Sequence, residues 1–168
     1  METPNFLLEV GVEEIPDWMI EPALAHLQES FNGLLAKNKL AGEVFWTDAT
    51  PRRLVLAAKN LPAGQSDSEE LVMGPPKSAG PGAAAGFARK QGVAADVLEV
   101  VASGKGEYFA YRKQVKGRTT GEILAEALPG LILGIPWPKT MFWTGKGGPR
   151  FIRPIRWIAA IFEGAVVP

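Results

Sequence analysis

Between Pro136 and Trp157 the chain carries five cations, Lys139, Lys146, Arg150, Arg153 and Arg156, and no acidic residue. Trp137, Phe142, Trp143, Phe151 and Trp157 are interleaved with them. Cations neutralise phosphates and aromatic faces stack on unpaired bases, so the composition suits an RNA surface. It suits a core equally well, because tryptophans anchor packing while arginines stay solvated or stack on the rings. A single strand over Ile152–Ile158 would turn Arg153 and Arg156 to opposite faces and halve the usable patch.

A second charged group lies at the other end of the sequence. Glu9, Glu13 and Glu14 follow one another at the end of a strand-like run. Carboxylates so placed can hold a cation or receive Arg52 or Arg53 from a neighbouring strand. Arg52 and Arg53 are adjacent, so within a strand they would point to opposite faces. Other chemistries fail on composition. Gly145-Lys146-Gly147 lacks the upstream glycine and the following Ser or Thr of a phosphate loop. Gly80–Ala85 fits a loose dinucleotide pattern, but it follows a proline-rich stretch and Pro81 removes one N–H from the cradle. His26 is the only histidine and there is no cysteine, so no triad, His-based metal set or disulfide framework can be assembled.

The net charge of zero conceals a gradient. Residues 1–50 hold 2 Lys and Arg against 9 Asp and Glu, residues 51–100 hold 6 against 5, and residues 101–168 hold 10 against 4. Either a polyanion meets the C-terminal part, or folding brings the two ends together. The 46% hydrophobic share fits a folded α+β protein, and Met1–Phe6 lacks the basic start and apolar core of a leader peptide.

The elements that must position these residues can be read from periodicity. Phe6, Leu8, Val10 and Val12 alternate as one strand face. Leu24, Leu27, Phe31, Leu34 and Leu35 mark a helix, with Pro22 expected near its first turn. Glu43–Asp48 and Arg52–Lys59 read as a hairpin. Leu61–Ala85, rich in Pro and Gly, reads as a long loop and as the place where the region would subdivide. Short helices are expected near Ala83–Gln91 and Val93–Val101, a strand over Tyr108–Val115, and a second principal amphipathic helix over Thr119–Leu133. Pro136–Pro149 reads as irregular and Ile155–Phe162 as a strand. Glu163-Gly164 then turns into a strand hardly begun, which reads as a piece of a longer polypeptide. The expectation is an α+β region with mixed or antiparallel sheet and two principal helices.

Several segments, in order, resemble the N-terminal part of the β subunit of the bacterial heterotetrameric glycine–tRNA ligase. They are Leu7–Pro16, Thr50–Leu56, Gly74-Pro75-Pro76, Ala85–Gly92, Lys105–Tyr108, Pro138–Trp143 and Phe151–Ile158. Val12 and Phe142 depart from the Thr and Arg common in that family, so one cation of the basic stretch is missing. The resemblance implies an enzyme that joins glycine to tRNA-Gly using ATP and magnesium. Its catalytic core would lie in a separate α subunit, and its anticodon-binding region in later β domains. Residues 1–168 would then be non-catalytic and would bind no cofactor or metal themselves. They would support tRNA binding or assembly in the cytoplasm, with no role toward DNA or membrane. The candidate tRNA-binding residues are Arg52, Arg53, Lys139, Lys146, Arg150, Arg153 and Arg156. The candidate structural or interface residues are Glu9, Glu13, Glu14, Trp137, Trp143 and Trp157.

Overall fold

The computed structural model describes residues 5–104, 106–143 and 145–168. Residues 1–4 and Lys105, which entered the leader and motif readings above, lie outside them. In chain order the elements are β1 (Phe6–Val12), α1 (Asp17–Lys37), β2 (Glu43–Thr50), β3 (Arg53–Lys59), β4 (Ser68–Pro76) and α2 (Gly80–Gln91). They continue as β5 (Glu99–Ser103), β6 (Gly106–Val115), α3 (Thr120–Leu133), β7 (Met141–Phe142), β8 (Arg150–Phe151), β9 (Ile155–Phe162) and β10 (Ala165–Val166). The α+β class holds, and every strand pairing is antiparallel. Two compact units result, and the second, Ser66–Gly117, interrupts the first in sequence.

The first unit is a five-stranded sheet, ordered β10-β9-β1-β3-β2, together with α1 and α3. Its period-two pattern decides which face is buried. Phe6, Leu8 and Val10 lie in register with Ala58, Leu56 and Leu54 on one side and with Phe162, Ala160 and Ile158 on the other. This is the face toward the helices, where Phe6 stacks on Phe31 of α1 at 4.9 Å between ring centroids. The opposite face carries Leu7, Glu9 and Gly11, with Ala57, Val55 and Arg53 beside them in β3 and Ile161, Ala159 and Trp157 in β9.

The buried stripe of α1 is Met19, Ala23, Leu27, Phe31 and Leu35, a strict four-residue repeat, with Leu24 and Leu34 only partly covered. The helix starts at Asp17, directly after Pro16, so Pro22 falls in its second turn rather than its first. Pro22 therefore leaves the Trp18 carbonyl without its helical donor. α3 starts on a reciprocal cap. The Thr119 hydroxyl accepts from the Glu122 N–H at 3.2 Å, and the Glu122 carboxylate accepts from the Thr119 N–H at 3.0 Å. The Thr119 hydroxyl and N–H bonds, aided by the nearby Arg118 charge, hold the Glu122 carboxyl below its ordinary range. β9 and β10 join through Glu163 and Gly164, both at positive φ (50° and 78°), the conformation that a two-residue hairpin requires.

The second unit is a three-stranded sheet, β4-β6-β5, with α2 beside β4. Two expectations fail here. Much of the stretch read as a loop over 61–85 is strand and helix, because β4 lies at a sheet edge, where Pro75 and Pro76 cost no interior ladder bond. The second short helix, expected at Val93–Val101, is a single 3-10 turn at Ala95–Val97 followed by β5. Val100 and Val101 are β-branched, and in β5 they pair with Phe109 and Tyr108.

Candidate functional site

β1 ends among the charges that the sequence singled out. The Trp157 indole N–H donates to Glu9 Oε1 at 2.7 Å, and Arg53 Nε lies 3.3 Å from the same oxygen. Just beyond the strand, Arg156 Nε is 3.5 Å from Glu13 Oε1, and Arg52 Nη2 is 3.7 Å from Glu14 Oε2. Arg153 Nε donates to the Glu14 backbone carbonyl at 3.1 Å. Three arginines thus pair with the carboxylates of Glu9, Glu13 and Glu14 on β1 and its exit loop, and a fourth, Arg153, holds the Glu14 backbone.

This geometry answers two conditional readings. Ile152–Ile158 is not one strand: β8 ends at Phe151, Pro154 follows, and β9 begins at Ile155. Arg153 and Arg156 therefore do not oppose each other across a sheet, and both reach the Glu13–Glu14 corner. The acidic N-terminal segment and the basic C-terminal segment also meet here, so part of the charge gradient is neutralised within the chain. The pairs are largely solvent-exposed, so each orients side chains more than it stabilises the fold.

The tryptophans divide. Trp137 is buried and meets Phe151 edge-on at 5.2 Å. Trp143 packs partly buried against the core. Trp157 stays 43% exposed and lies across Gly11, where an added Cβ would sit 2.0 Å from its ring. Sequence reasoning missed this contact, although a lone glycine inside an alternating strand is a signal of close approach.

Lys139, Lys146 and Arg150 lie on the segment that contains the small β7–β8 pair. Arg150 lies over the Phe142 ring, 5.1 Å from its centroid, and its Nη2 is 3.4 Å from the Thr140 carbonyl oxygen. Phe142 is itself 50% exposed. Lys139 and Arg150 are exposed, and neither forms an ion pair among the described residues. A cation held on an exposed aromatic ring is a geometry suited to a phosphate with an adjacent base.

Nucleotide and metal chemistry find no frame among the described residues. A strand, β4, does precede Gly80–Ala85, contrary to expectation. It belongs to an antiparallel sheet and not to a parallel βαβ unit, however, so the dinucleotide reading still fails. His26 is half-buried and bonds Ser30 Oγ at 3.1 Å. Among the described residues, no group of three or more His, Cys, Asp or Glu is arranged to hold a metal. No helix among the described residues is long and apolar enough to cross a membrane.

The family model for the glycyl-tRNA synthetase β subunit matches residues 6–168. The glycine–tRNA ligase β subunit of Trichlorobacter lovleyi is 46% identical over 98% of this chain, which covers 25% of that relative. The corresponding subunit of Desulforamulus reducens is 44% identical over 98% of this chain and 24% of its own length. That of Oleidesulfovibrio alaskensis is 38% identical over 96% and 24% respectively. The chain spans about a quarter of the length of the curated relatives it matches.

Proposed function

Because the chain belongs to the glycyl-tRNA synthetase β-subunit family, we propose that it is a non-catalytic supporting region for the ATP-dependent charging of tRNA-Gly with glycine. In this reading it meets tRNA through the segment bearing Lys139 and Arg150, with Lys146 nearby. The observation that carries the reading is the exposed Arg150–Phe142 pair, which offers a guanidinium and a stacking face together. Arg52, Arg53, Arg153 and Arg156 become positioning residues, since each already meets an acidic side chain or the Glu14 carbonyl. In this reading ATP and magnesium belong to a separate α subunit. The setting is the cytoplasm, and the partners are that α subunit, the remaining β domains and tRNA-Gly. DNA and membrane have no part in it.

The test uses the complete α/β enzyme. Lys139→Glu combined with Arg150→Glu should weaken tRNA-Gly binding by about tenfold and flatten its salt dependence by one to two units of slope. Arg153→Gln with Arg156→Gln should change both far less. An assembled loop variant with unchanged affinity and slope would leave the second reading, assembly without tRNA contact. That reading draws on the same intrachain arginine pairs.

A further inference from the structure

In the first unit, one part of the helix-facing sheet surface has lost its cover. Ile158 stands in register with Val10, which is fully buried, yet Ile158 is 52% exposed. Between it and α3 runs a groove of about 540 Å³. Leu128, Ile132 and Leu133 of α3 form one wall, Ile158 forms the other, and Trp143 and the buried Val167 also line the cleft. The lining is overwhelmingly apolar, and Leu133 is itself 41% exposed. Apolar surface of this kind is stabilised when it is covered.

We propose that this groove is the seat of another segment of the same β-subunit polypeptide. That segment inserts apolar side chains between α3 and β9. The matched relatives are about four times as long as this chain, so ample polypeptide exists to supply it. Pro168 itself lines the groove. A tethered segment enjoys a millimolar-scale effective concentration and outcompetes a separate chain of equal contact quality. The inference stands whether or not Arg150 touches tRNA.

Site-specific photocrosslinking in the full-length β subunit tests it. Leu133 and Ile158, one on each wall, are replaced singly by p-benzoylphenylalanine, with Gln28 on the exposed side of α1 as the control. After irradiation and digestion, both wall positions should link to peptides of the same polypeptide outside residues 1–168. They should do so in the isolated subunit and in the α/β enzyme alike, and Gln28 should not. Links only to the α subunit, links between isotopically distinct β chains, or no link from either wall would each overturn the proposal. Two walls keep the test decisive should one substitution disturb folding.

Discussion

The two units of this chain are held together by different means. In the first, Phe6, Phe31, Phe151, Leu8, Leu27 and Ile132 are almost wholly buried between sheet and helices. In the second, the buried apolar residues among those described are three alanines, Ala84, Ala88 and Ala110. Leu71, Met73, Val97, Val100 and Val115 remain exposed there. What the second unit has instead is its ladder, the close seat of Phe87 on Gly74, and surface pairs such as Arg112–Glu99 at 2.8 Å. Backbone pairing and exposed ion pairs contribute little net stability next to buried apolar area. The first unit should therefore behave as the folding core and the second as a region that opens at lower cost.

The largest effect should come from the first unit. Phe31→Ala removes the stacked partner of Phe6 and opens a cavity in the core, at an expected cost of about 3–5 kcal/mol. Chemical denaturation with a folded-state probe in the first unit measures it; a loss below about 1 kcal/mol would show that this core is not the main source of stability. Gly11→Ala comes next. The new methyl group collides with the Trp157 ring, so the indole must leave Glu9, and about 1–3 kcal/mol should be lost. Adding Trp157→Ala should recover most of the loss beyond its own cost, a non-additivity that a double-mutant cycle reads directly.

The second unit supplies the converse. Phe87→Ala removes a half-buried ring and should cost only about 1–2 kcal/mol. With so little else buried, that loss should open the unit locally. Hydrogen exchange should then show β4 and β6 amides losing protection while β1 and β3 keep theirs. Equal loss in all four strands would mean that the two units unfold as one, and the contrast drawn above would be wrong.

Sequence patterns carried the first unit well because its elements obey simple periods. β1 alternates cleanly, and the amphipathic pattern over Thr119–Leu133 announces α3. Where tertiary context overrode local composition, the sequence misled. Proline content hid β4, whose edge position tolerates Pro75 and Pro76. The site was legible as an inventory but not as a geometry. Glu9, Glu13 and Glu14 invited arginine partners, but only the break at Pro154 brings both Arg153 and Arg156 to them. Leu133 and Ile158 gave no sign of forming opposite walls of a groove, because that depends on how far α3 covers β9.

The smallest predicted effect lies where the chain returns to the first unit. Gln65 N–H donates to the Arg118 carbonyl at 2.9 Å, Thr120 N–H to Ala63 at 2.9 Å, and the buried Thr120 hydroxyl to Pro62 at 2.6 Å. The Thr119–Glu122 cap closes the same clamp. Thr119→Ala should cost about 1 kcal/mol by leaving α3 uncapped. Its pH dependence has a definite sign. The Glu122 carboxyl is held below its ordinary value chiefly by the Thr119 hydroxyl, so its contribution is complete above the unfolded glutamate pKa of about 4.3. The contribution fades as pH falls through the lowered folded value. Wild type and Thr119→Ala should therefore differ most near neutrality and converge in acid. Glu122→Gln should flatten that convergence while leaving exchange in β4–β6 untouched. If exchange in the second unit rose together with that of α3, the clamp would be holding both units, and the line between them would have to be redrawn at residues 62–65 and 118–120.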